Sequence, residues 1–141
     1  MAAFNKFNQF VEFLAEAVFD FENDTLKIIL TNTAPVATNQ VAAELTEIAA
    51  TGGYTAGGLA VTVASHGQTA GVYTLVLDDL AILATGESIG PFRYFVLVDD
   101  TPTTPADPLV GWWDFGSAIT LNDGESLLQN FSDANGVLQI T

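Results

Sequence analysis

Phe92-Arg93-Tyr94-Phe95-Val96-Leu97-Val98 is the strongest strand signal in the chain. Aromatic and branched side chains favour a pleated backbone, on which they pack against cross-strand neighbours. A strand with one wet face alternates apolar and polar residues, and this one has too few polar positions for that. It therefore predicts a strand covered on both sides. C-terminal to it, residues 109–115, 118–121, 126–131 and 137–140 read as further strands. They are separated by Asp114-Phe115-Gly116-Ser117, Asn122-Asp123-Gly124-Glu125 and Ser132-Asp133-Ala134-Asn135-Gly136. These breaks carry the Asp-Gly and Asn-Gly chemistry of tight hairpins. N-terminal to it, residues 81–84, 71–77, 59–64 and 25–31 read as strands, the last stopped by Asn32 and Pro35.

Between these strands, residues 44–48 fit a short strand or one helical turn. Residues 51–58 hold four glycines around Tyr54 and predict a flexible loop. Residues 99–108 contain three of the five prolines and predict a stiff, exposed excursion between two core strands. Many short strands at regular spacing predict an antiparallel β-sandwich or jelly-roll-like domain, with a partly closed barrel as the other way to bury them.

The first segment has a different period. Phe4, Phe7, Val11, Leu14 and Val18 recur at three- and four-residue spacing, and Phe10, Phe13 and Ala17 widen the stripe. Asn5, Gln9, Glu12 and Glu16 fall mostly on the other side. This predicts an N-terminal helix over residues 1–22 and a β-rich core over 24–141, together one domain. The helix either caps an open end of the core or places part of its aromatic stripe against another subunit.

Composition narrows the function classes. The 141 residues are 49% hydrophobic and only 14% charged, which fits a packed core and not a disordered chain. Seventeen acidic residues stand against three basic ones, Lys6, Lys27 and Arg93, for a formal net charge of -14. Such a surface repels polyphosphate and anionic lipid, so neither direct nucleic-acid binding nor membrane binding is expected. There are no cysteines, hence no disulfides and no thiolate metal site. No apolar run approaches the roughly 20 residues that span a bilayer, and the acidic residues in the N-terminal segment argue against a secretory signal.

No constellation of catalytic residues emerges. His66, the single histidine, lies in a turn-like stretch after Ser65 and reads as an exposed turn residue. Asp78-Asp79, Asp99-Asp100 and Asp123 with Glu125 are carboxylate pairs, but neighbouring strand residues point to opposite faces, which does not suit acid–base work on one substrate. Calcium is the more natural use of such loops, yet Asn122-Asp123-Gly124-Glu125 lacks the preceding ligands of a calcium loop. GGYTAGG lacks the spacing and the lysine of a phosphate loop. The expectation is no cofactor, no metal and no enzymatic activity. Trp112-Trp113 places one ring on each side of a strand: one in the core, the other on the outer surface or beneath the N-terminal segment or a loop.

Three stretches resemble a family of small virion structural proteins of tailed bacteriophages: AAFNKFNQFVEFLAEAVFDF at the start, DTLKIILTNTAPVATN, and PLVGWWDFGSAITLNDGES near the end. GGYTAGG is similar as well, and together these stretches cover about half the chain. The resemblance implies a virion component and brings no catalytic residues. Within that class the expected role is a head decoration, or cement, protein on the outer head surface. Its partner would be the major capsid protein, and it would form a homo-oligomer, by analogy a trimer. Expected contact residues are Phe4, Phe7, Phe10 and Val11 in the N-terminal segment, Asp99 and Asp100 in the following excursion, and Trp112 and Trp113. A tail tube or tail-tip protein and a carbohydrate-binding module displayed on the particle are the alternatives.

Overall fold

The computed structural model describes residues 3–131 and 134–141. In chain order the elements are β1 (Asn5–Lys6), α1 (Phe10–Ala15), β2 (Leu26–Thr31), a 3-10 turn (Ala42–Glu44), β3 (Leu59–Val61), β4 (Val63–Thr69), β5 (Val72–Leu77), β6 (Leu80–Leu83), β7 (Ile89–Asp99), β8 (Leu109–Leu121), β9 (Ser126–Gln129) and β10 (Leu138–Ile140). They form a five-stranded sheet in the order β1-β8-β7-β2-β3, a three-stranded sheet β10-β5-β4 and a two-stranded sheet β6-β9. Every pairing is antiparallel.

The main core lies between the large sheet and the two smaller ones, which is the β-sandwich arrangement. Leu26, Ile28 and Leu30 of β2, Phe95 and Leu97 of β7, and Trp113 of β8 meet Leu75, Leu77, Leu80, Ile82 and Leu138 from the opposing sheets. On the other side of the large sheet Phe7, Ile29, Val96, Val98 and Leu109 form a second, smaller cluster, covered in part by Ala42, Leu45 and Trp112. The two clusters explain the near-continuous apolar run of β7. Phe95 and Leu97 serve one core, Val96 and Val98 the other, so β7 is central and covered on both faces.

The N-terminal segment corrects the expected helix over residues 1–22. Among the described residues of this segment only Phe10–Ala15 is helical, and Asn5–Lys6 is a strand, with Asn5 opposite Trp112 and Lys6 opposite Gly111. The aromatic spacing is shared between two periods. Phe4 and Phe7 lie on opposite faces of the sheet: Phe4 packs 5.0 Å from the Trp113 ring, and Phe7 packs 4.6 Å from the Trp112 ring. Gly111 makes room for Phe4, since a Cβ there would collide with its ring. Phe10, Phe13, Phe19 and Phe21 then pack together in the main core.

The helix ends because Ala17 adopts a left-handed backbone, with φ of 61°. The Val18 N–H donates to the Phe13 carbonyl at 2.9 Å and the Ala17 N–H to the Leu14 carbonyl at 3.2 Å. This is the helix-ending arrangement in which glycine is the usual left-handed residue. Ala17→Gly is expected to raise stability by about 1 kcal/mol, measured by urea denaturation, because it relieves the Cβ clash.

Other boundaries differ for identifiable reasons. Residues 109–121 form one strand and not two, because Asp114-Phe115-Gly116-Ser117 is a bulge. Tyr94 pairs with Asp114 while Phe92 pairs with Ile119, and Gly116 takes a φ of +104°. The stretch 59–64 is divided the other way: β3 pairs with β2 in one sheet, while β4 pairs with β5 in another. Residues 44–48 contribute the end of the 3-10 turn and a bridge from Glu47 to Thr31. The last hairpin break, residues 132–136, lies partly outside the described residues.

Candidate functional site

The residues singled out for chemistry are spread apart. His66 is in β4 and not in a turn; it is exposed, with its ring 6.4 Å from that of Tyr73. Ser65 pairs with Val76 and His66 with Leu75, so their side chains leave opposite faces of the strand. Three of the loop carboxylates accept backbone amides, two of them across to a neighbouring loop and one within its own turn. Asp79 accepts from the Phe131 N–H at 2.9 Å, Asp123 from the Gly86 N–H at 2.8 Å, and Glu125 from the Asn122 N–H at 2.7 Å. Among the described residues no three His, Asp or Glu side chains group where they could hold a metal ion. Among the described residues no helix is long and apolar enough to cross a membrane.

Several expected contact residues belong to the interior. Phe7, Phe10 and Trp113 are buried, with Trp113 wedged between Phe4 and Phe131 at ring distances of 5.0 and 4.9 Å. Their aromatic character reflects core volume and gives no free surface for a partner. Trp112 is partly covered by Phe7 on the other side of β8, so the two indoles do straddle the strand. Phe4 is also partly buried, against the main core, while Val11 is exposed on α1.

Asp99 and Asp100 divide. Asp100 lies at the surface, with an ion pair from its Oδ2 to Lys27 Nζ at 2.9 Å. Asp99 ends β7 and is fully buried, which removes it from the exposed excursion. Its Oδ1 accepts from the Thr101 N–H at 3.2 Å, whereas its Oδ2 meets no donor. Burial, and then the neighbouring Asp24 carboxyl, push the Asp99 acid up to about 8. By contrast Asp114, held by Arg93 through contacts of 2.8 and 3.1 Å, lies below the usual carboxylate range.

The glycine-rich stretch 51–58 is fixed in place, against the expectation of a flexible loop. Tyr54 is buried, its hydroxyl donates to Glu47 Oε1 at 2.6 Å, and it accepts from the Leu30 N–H at 3.1 Å. Glu47 Oε1 also accepts from the Gly57 N–H at 2.8 Å. Gly58, with φ of +106°, approaches β2 so closely that a Cβ would lie 2.6 Å from the Ile28 carbonyl oxygen. The glycines therefore let the loop close over β2, and Tyr54 latches it. Tyr54→Phe is expected to cost about 2 kcal/mol in thermal or urea unfolding, since it leaves the buried Leu30 N–H without an acceptor.

The exposed apolar surface appears elsewhere, on the two-stranded sheet. Ala81 pairs with Leu128 and Leu83 with Ser126, so all four side chains share one face. The opposite face, with Leu80, Ile82 and Gln129, is buried. On the outer face Leu83 is 56% and Leu128 63% exposed. Asp78 and Asp79 precede this sheet at one end; Glu87, Asp123 and Glu125 stand in the turns at the other, where the Ala84 N–H donates to the Glu125 carbonyl. Neither residues 78–91 nor 117–131 contain Lys, Arg or His. The result is an apolar sheet face whose flanking chain segments carry only carboxylates as charged groups. The sequence signal was the pair Leu127-Leu128: two successive large apolar residues in a strand cannot both point inward.

Comparison of the chain with protein families, with characterised proteins and with solved structures gives no match.

Proposed function

We propose that this chain is a bacteriophage virion structural protein that binds the outer surface of the head and stabilises the shell. The observation that carries this reading is the Leu83–Leu128 face, an exposed apolar patch whose flanking chain segments carry charges of one sign only. Covering a leucine fully contributes about 1.5–3 kcal/mol, so two per copy give a useful contact when repeated over many sites. The acidic flanking segments select a partner surface in which an apolar ridge is edged by Lys or Arg, here assigned to the major capsid protein. A formal charge of -14 would oppose a position against packaged DNA and favours the outside of the shell.

Co-sedimentation with purified heads lacking the protein tests this. The double variant Leu83→Glu/Leu128→Glu is expected to bind at least about tenfold more weakly, with an unchanged melting temperature because both side chains are exposed. Wild-type binding should weaken as salt is added. Val36→Glu, at another exposed apolar position, should bind like wild type. Undiminished binding of the double variant would remove this face from the contact.

A further inference from the structure

We infer that β4 is a self-association edge, through which two copies of the chain pair antiparallel about a two-fold axis near Gly67. Strand β4 ends the three-stranded sheet, and its outer side has no strand partner among the described residues. At seven residues it is the longest strand that ends a sheet: β6 and β9 have four, β3 and β10 three, and β1 two. Edge strands are normally guarded by lysine, proline or a distorting bulge. Here the one irregularity falls between Val63 and Ser65, and pairing with β5 is continuous from Ser65 to Thr69. All five of these residues are exposed, and none is charged or proline.

Charge selects a second copy as the occupant. Two molecules of net charge -14 repel one another over most of their surfaces. Yet residues 48–77 contain no Asp, Glu, Lys or Arg, and neither does β10, so the whole three-stranded sheet is uncharged apart from His66. Its outward face presents Ser65, Gly67 and Thr69 beside Val76, Thr74 and Val72. The described carboxylates Asp20 and Glu22 lie with His66 and Tyr73 around a cleft on the inward face. A free edge that is also neutral is where two such acidic molecules can bring backbones together at least cost. Antiparallel pairing makes the contact self-complementary and closed, giving a pair and not a growing fibre. The resemblance noted above implies a trimer; this edge implies two-fold symmetry. The inference does not rest on the capsid reading.

The register supplies the test. With the axis near Gly67, Ser65 of one copy lies opposite Thr69 of the other, twice per pair. Sedimentation velocity of the full chain across protein concentrations should show a monomer–dimer equilibrium that tightens as salt screens the net charge. Ser65→Glu/Thr69→Glu and Ser65→Lys/Thr69→Lys should each weaken it at least about tenfold, because like charges then face one another. Ser65→Lys/Thr69→Glu should keep or tighten it, because each new cation faces a new anion across the axis. Thr103→Glu, in the 99–108 segment, should leave it unchanged. A chain that stays monomeric at all concentrations, a trimer, or three edge variants that behave alike would each overturn the inference.

Discussion

Trp113→Ala is expected to destabilise the protein by about 4 kcal/mol, a large part of the roughly 5–15 kcal/mol that holds a typical domain together. Trp113 is the largest of the fully buried side chains and joins three parts of the chain: Phe4 before β1, β8 itself, and Phe131 after β9. Removing the indole leaves a cavity bounded by rings fixed by other contacts, so the site cannot easily collapse. Trp113→Phe should cost markedly less than the alanine variant. Phenylalanine keeps most of the apolar volume, and the indole Nε1 has no hydrogen-bond partner to lose. Urea denaturation followed by circular dichroism distinguishes these variants. Equal losses for Phe and Ala would show that the indole N–H, and not ring volume, carries the contribution.

Asp99→Asn is expected to stabilise the protein at pH 7.5 and to flatten its stability between pH 5 and 7.5. The Asp99 acid is raised from 3.8 to about 8 in the folded chain. Below pH 3.8 both folded and unfolded states carry the proton, and its contribution to stability is fully present. As pH rises toward 8, the unfolded chain has released that proton while the folded chain retains it, so wild-type stability falls. The slope approaches about 1.4 kcal/mol per pH unit, giving about 3 kcal/mol across this range. Asparagine keeps an acceptor for the Thr101 N–H and presents a permanent donor toward Asp24. Asp20 and Asp114 cannot mimic the effect: their acids are lowered, so their contributions are lost only in acid. Melting temperatures at both pH values, for wild type and Asp99→Asn, check this. A wild-type curve as flat as the variant's would mean that Asp99 is ionised when folded.

The sheet pattern was legible because burial forces it. The apolar run of β7 demanded cover on both faces, and two clusters supply it. The Trp112-Trp113 pair likewise had to straddle its strand, and does. The N-terminal segment misled because phenylalanines at three-residue spacing satisfy a helix, while the same spacing on an extended chain places Phe4 and Phe7 on opposite faces. Asp114-Phe115-Gly116-Ser117 has the composition of a hairpin turn; only pairing with β7 on both sides of it makes it a bulge. Asp99 illustrates a different limit. Adjacent to Asp100 in a proline-rich stretch, it reads as solvated, yet it ends β7 as a fully buried residue with Asp24 beside it. Exposed apolar positions were the least legible, because large aromatic residues attract attention but are needed most in the core. The exposed patch instead uses ordinary residues, Ala81, Leu83 and Leu128, whose outward direction follows from strand register.

Gold-labelled antibody against this protein, applied to intact source virions and viewed by electron microscopy, tests the proposed role most directly. Attachment to the outer head surface predicts label spread over the heads of unbroken particles. Label confined to tails would contradict it and favour the tail tube or tail-tip reading, and the absence of label from intact virions would exclude an exposed position on the head.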